Sequence, residues 1–153
     1  ISGEGGGTGV SYCDSVSSIG CPCGNPGAPG EGCANGTGSG AKMRASGAAS
    51  VKSSSLSLST VGLIPGQPGL YFQGNNAVSG GQGILFGDGV RCAGGGVIRL
   101  QVRFAGDDGT SQTTADIAAV GGVSPGDIKR YQLWYRDSPG ASNFSDAVAV
   151  TFE

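Results

Sequence analysis

Short runs of alternating apolar and polar residues, cut about every ten residues by a turn-forming pair, leave this chain little room for anything but an all-β fold. The clearest run is Val97-Ile98-Arg99-Leu100-Gln101-Val102-Arg103-Phe104. Its alternation predicts Ile98, Leu100, Val102 and Phe104 on one face, with Arg99, Gln101 and Arg103 on the other, wet face. Weaker alternation recurs over residues 55–61, 69–73, 83–86, 113–120, 130–136 and 145–152, the last with Val148, Val150 and Phe152 in register. Turn signals stand between these runs at Pro65-Gly66, Asn75-Asn76, Asp88-Gly89, Asp108-Gly109, Pro125-Gly126 and Pro139-Gly140. Residues 115–120 are the one stretch with a helical option, and the glycines that follow favour a strand. The expected architecture is an antiparallel β-sandwich, jelly-roll or Ig-like, with one domain in 153 residues.

That pattern begins only at about residue 41. Residues 1–40 are dominated by Gly, Pro, Ser and Cys with no sustained apolar period, and such a stretch cannot bury enough apolar surface to order itself. The organisation read from the sequence is therefore a Gly/Cys-rich arm, 1–40, and a sandwich domain, 41–153. Four of the five cysteines, Cys13, Cys21, Cys23 and Cys33, lie in the arm, and Cys92 stands alone downstream. Clustered thiolates can hold zinc or iron, but the Cys21-Pro22-Cys23 spacing does not fit a common ribbon. Two disulfides among the four arm cysteines are the simpler expectation. Neighbouring Cys21 and Cys23 are poor partners for each other, so each is expected to pair with Cys13 or Cys33. Cys92 is then a free thiol or an intermolecular one.

Composition narrows the function. With no histidine in the chain, neither a Ser-His-Asp nor a Cys-His system can be built, and an enzyme is not expected. Nor is a cofactor. Nine basic and eleven acidic residues give a net charge of -2, and the arginines and lysines are dispersed, so nucleic acid is not an expected partner. No apolar run approaches the roughly 18 residues of a membrane helix, so no membrane span is expected. Asp107 and Asp108 are weak calcium candidates, because two carboxylates in a turn are more often turn chemistry than a site of six oxygens. Asp137 and Asp146 are the acids that would pair for glycoside hydrolysis, against the simpler reading of solvated loop carboxylates. Asn35-Gly36-Thr37 and Asn143-Phe144-Ser145 are sequons. On the 130–136 strand, Tyr131, Leu133 and Tyr135 share one face, and Gln132, Trp134 and Arg136 the other. If Trp134 faces outward, it forms a flat ring suited to sugar or protein, with the Asn75-Asn76 loop as a polar companion.

Several motifs taken together resemble a known domain: Cys21-Pro-Cys-Gly-Asn25, the stretch from Gly32 to Ala41, Pro65-Gly-Gln-Pro-Gly-Leu-Tyr-Phe-Gln-Gly-Asn-Asn76, Phe86-Gly-Asp-Gly-Val-Arg-Cys-Ala-Gly-Gly95 and Tyr131-Gln-Leu-Trp-Tyr-Arg-Asp137. The chain from Tyr12 to Phe152 is similar to the Gly- and Cys-rich C-terminal β-domain of large secreted proteins of planctomycete- and myxobacteria-like bacteria, a family of unknown function. The resemblance implies bacterial origin, export and a β-rich terminal module. Members often carry a further cysteine after an Arg-Asp-Pro turn, where this chain has Ala141-Ser142. If that residue is the usual partner of Cys92, the resemblance implies a free, buried Cys92 here.

The functional expectation is a secreted, extracellular structural subunit that self-assembles into a filament, sheath or matrix. Thr8, Gly9, Val10, Ser11 and Tyr12 would form an arm that adds as a strand to a neighbour's sheet. The alternative is a carbohydrate-binding or adhesion module that contacts polysaccharide through Trp134, Asn75 and Asn76.

Overall fold

The computed structural model describes residues 8–53, 55–137 and 141–153. The turn expected at Pro139-Gly140 and the first seven residues of the arm lie outside them. The strands, in chain order, are β1 (Val10–Tyr12), β2 (Lys42–Ser46), β3 (Ser57–Val61), β4 (Pro68–Gly74), β5 (Asn76–Ala77), β6 (Ile84–Phe86) and β7 (Gly89–Arg91). They continue with β8 (Ala93–Gly94), β9 (Ile98–Phe104), β10 (Ser111–Gln112), β11 (Ile128–Arg136), β12 (Ser142–Phe144) and β13 (Ala147–Thr151). All pairings are antiparallel. A six-stranded sheet runs β1-β13-β11-β4-β9 with β12 also on β11, and a three-stranded sheet runs β10-β3-β2. The chain is all-β and antiparallel, as its alternation requires.

The main core lies between these two sheets. Tyr131, Leu133, Tyr135, Val148 and Val150 from the large sheet, with Phe152 just past the end of β13, meet Met43, Ala45 and Leu58 from the small one. Buried polar tips are paired, as they must be away from water: the Tyr71 hydroxyl lies 2.9 Å from Thr60 Oγ1 and 2.7 Å from Ser111 Oγ, bonding sheet to sheet. Tyr131 donates to Gln73 Oε1 at 2.9 Å, and Gln73 donates to the Gly121 carbonyl.

Two local expectations are corrected. Residues 113–120 are not a strand: Ile117–Val120 forms a four-residue helix, α1, because Asp116 caps it by accepting from the Ala119 amide at 3.1 Å. The second correction concerns β9. Its pairing with β4 shifts between Tyr71 and Phe72, so Leu100 is an extra residue and the side-chain order inverts beyond it. Ile98 and Leu100 face the core, whereas Val102 and Phe104 are 56 % and 66 % exposed. Arg103 is half-buried in their place.

The arm is part of this body. Val10, Ser11 and Tyr12 pair with Ala149, Val148 and Ala147 of the chain's own β13, and Thr8 bridges Ala45. The expected donor arm for a neighbour is therefore a strand in cis, held at its end by a covalent bond. Cys13 is bonded to Cys92 and Cys21 to Cys33, and Cys23 is the free, exposed thiol. This reverses the expected roles of Cys23 and Cys92. The β6–β7 hairpin carries Cys92 back under the arm, where it is fully buried with Cys13, Cys33, Val90 and Ala147. Cys23 instead points its thiol toward the Asp88 carboxylate at 3.5 Å.

Candidate functional site

The outer face of the six-stranded sheet is divided by what lies on it. Over β13 and the start of β11, the arm and its two disulfides form a second small core against Ala147. Gln132, fully buried, fastens this cover to the sheet: its Oε1 accepts from the Cys92 and Ala93 amides, and its Nε2 donates to the Val90 and Ser145 carbonyls. The β6–β7 hairpin then crosses β12. Gly89 is the contact point, since a Cβ there would lie 2.3 Å from Asn143 Oδ1. This close approach brings Phe86 over the aromatic residues of the sheet.

Trp134 faces outward between these parts, as its place in the alternation with Tyr131, Leu133 and Tyr135 dictates. Phe144, in register with it on β12, stacks on the indole at 6.2 Å and 12°, and Phe86 meets it edge-on at 5.6 Å. Offset stacking and edge-to-face contacts of this kind fix an aromatic ring more firmly than burial alone. Trp134 remains half-buried, and its Nε1–H is a buried donor with no hydrogen-bond partner. Two open clefts of about 180 and 200 Å³ flank it, and Trp134 and Leu70 line both and form the ridge between them. The first cleft is closed by Phe72, Phe86 and Phe144 and rimmed by Arg91 and Arg99; the second is bounded by Val102 and Arg136.

The other sequence candidates fall elsewhere. Arg130 pairs with Gly74 and Trp134 with Leu70, so Gly74 lies about 13 Å along the strands from Trp134 at roughly 3.3 Å per residue, and the Asn75-Asn76 corner lies beyond it. Asn75 is already engaged, accepting from Lys129 Nζ at 2.7 Å through its side chain and from Arg130 through its carbonyl. Asn76 pairs with Gly94. The loop supplies no ligand contact at the tryptophan. Asp108 is a turn residue: its Oδ1 accepts from the Thr110 amide and hydroxyl, and the hydroxyl bond holds the carboxyl below its usual range. Among the described residues no His, Cys, Asp and Glu come together in a cluster that would hold a metal ion.

Asp137 and Asp146 are not solvated loop acids. Both are buried and tie distant segments together, Asp137 accepting from the Gly36 amide at 2.8 Å and Asp146 from the Met43 amide at 2.7 Å and the Ser11 hydroxyl at 2.5 Å. The sequon asparagines are structural too. Asn35 donates to the Gly62 carbonyl and the Tyr135 hydroxyl, and fully buried Asn143 donates to the Cys33 carbonyl, so neither side chain is open to a glycosylating enzyme in the folded protein. The Trp134 clefts could not be anticipated in full. The alternation of β11 places the ring outside, but its neighbours come from β4, β9, β12 and a hairpin whose path depends on Cys92.

Among the described residues no helix is long and apolar enough to cross a membrane. Two disulfides in one small β-rich chain fit the oxidising conditions outside the cytosol. Comparison with protein-family models, with curated proteins and with solved structures finds no match to this chain.

Proposed function

We propose that this chain is a secreted, extracellular carbohydrate-binding or adhesion module, and that the outer sheet face around Trp134 is its recognition surface. The observation that carries the reading is the chain's one tryptophan, held by two phenylalanines as a ridge between two open clefts. An aromatic ring fixed on a rigid sheet suits the apolar face of a sugar, and costs little conformational entropy to present. A pair of open clefts on either side suits an extended chain rather than an enclosed small molecule.

On a glycan array the wild-type protein is expected to retain polysaccharide, and Trp134→Ala to weaken retention about 30-fold, the size of a truncated aromatic anchor. Silence of the folded wild type on every glycan sinks the proposal.

A second reading, self-association into a larger extracellular structure, rests on β9. This seven-residue strand ends the large sheet and exposes Val102 and Phe104, the features of an edge that accepts another strand. It predicts oligomers in sedimentation that a Val102→Lys/Phe104→Lys variant disperses. A wild type that sediments as a monomer at every concentration removes it.

A further inference from the structure

We propose that the ligand of the Trp134 face is an acidic polysaccharide carrying uronate carboxylates, an inference that rests on the carbohydrate-binding reading above. The chain has an overall charge of -2, yet the residues lining the two clefts include Arg91, Arg99 and Arg136 and no carboxylate. Among the described residues the ion pair found is Lys129–Asp127, so none of the three guanidinium groups is matched by an acid among those residues. Arg91 is partly engaged, its Nε donating to the Ala93 carbonyl at 3.3 Å, while Arg99 and Arg136 are exposed.

Arg99 owes its position to strand pairing. It stands opposite Phe72 on the outer face, ahead of the shift that turns the later β9 residues over. Arg136 is two residues beyond Trp134 on the same face of β11. The aromatic ridge therefore has positive charge in both clefts. A planar guanidinium donates two parallel hydrogen bonds to a carboxylate, which a neutral hydroxyl cannot accept in the same way. A uronate chain would lay a sugar face on Trp134 and present carboxylates to the cleft rims on either side. Neutral glycans would use the ring alone.

The test compares polygalacturonate with its fully methyl-esterified form, which keeps the backbone and removes the charge, in binding titrations of the intact protein. Neutral xylan and cellulose oligosaccharides serve as further ligands. The expected result is binding of polygalacturonate that falls at least tenfold on esterification, weakens with added salt, and falls about tenfold in Arg99→Gln and again in Arg136→Gln, the scale of one charge-assisted hydrogen bond each. Both arginines are exposed, so these variants keep the fold, which circular dichroism verifies. Equal binding of the charged and esterified polymers, or binding of neutral glycans alone, overturns the acidic-ligand inference and leaves the carbohydrate reading standing. Absence of binding to every polysaccharide overturns both.

Discussion

Replacing Cys13 and Cys92 together with alanine is expected to cost the fold about 4.5 kcal/mol, against about 3 kcal/mol for the Cys21 and Cys33 pair. The difference follows from chain topology: the first bridge spans 79 residues and the second 12, and the longer loop has more entropy in the unfolded chain for the bond to remove. The Cys13–Cys92 bond also ties the β1 end of the large sheet to the β7–β8 segment that Gln132 fastens from below. Its loss frees both. For a domain of this size the double variant should melt about 10–18 °C lower than wild type, which differential scanning calorimetry measures directly. Peptide mapping of the native protein without reduction should recover both bridges and a single alkylated thiol, at Cys23. A map with Cys23 bridged and Cys92 alkylated would contradict the pairing. It would also remove the support under the β6–β7 hairpin that seats Phe86 on Trp134.

The second large effect is on pH. Burial drives the Asp146 carboxyl from 3.8 up to about 7, a rise opposed by the Ser11 hydroxyl, the Met43 amide and the charge of Lys42, and reinforced by Asp14. In the folded state Asp146 thus holds its proton over a range where the unfolded chain has already lost it. The native state binds more protons than the unfolded state between about pH 4 and 7, so stability falls as pH rises through that window and levels off above it. The full swing is on the order of a few kcal/mol. Asp14 acts in the opposite sense lower down: hydrogen bonds from Ser17 and Gly30 outweigh its desolvation and hold its carboxyl low, a contribution lost as pH falls below the usual carboxylate range. With no histidine in the chain, no side chain of ordinary pKa competes between pH 5 and 8. Chemical denaturation should therefore find the wild type more stable at pH 5 than at pH 8. Asp146→Asn keeps an acceptor for the Met43 amide without the charge, and should be flat across this range and more stable than wild type at pH 8. A wild type that gains stability from pH 5 to pH 8 would contradict this account of Asp146.

How much of this was legible in the sequence depends on how local the cause is. Alternation with interspersed turns is enough for an all-β antiparallel chain, and the partition of Tyr131, Leu133 and Tyr135 from Gln132, Trp134 and Arg136 follows directly from period two. A bulge is invisible to the same rule. One extra residue at Leu100 moves Val102 and Phe104 from the expected core face to the surface, and no feature of the run 97–104 signals it. The cysteines fail for a similar reason. Short sequence separations favoured pairs within the arm, whereas the bond from Cys13 to Cys92 depends on β1 pairing with β13 and on the hairpin crossing β12. Asp116 stands at the cap position before Ile117–Val120, a local helix signal that neither the alternation nor the glycines beyond it register. Asp137, Asp146, Asn35 and Asn143 look like surface loop residues in isolation. Each becomes a buried fastener only when the arm, whose own composition carries no fold signal, is laid on the sheet.

The central functional claim is that ligand sits on Trp134, and the single tryptophan makes this directly measurable, because a ¹⁵N-labelled sample shows one indole N–H correlation. Titration with polygalacturonate oligosaccharides should move that signal, because a sugar laid on the exposed part of the ring changes the environment of the indole whose N–H is reported. A ligand that binds while the indole correlation keeps its position would place recognition elsewhere on the molecule and contradict the account.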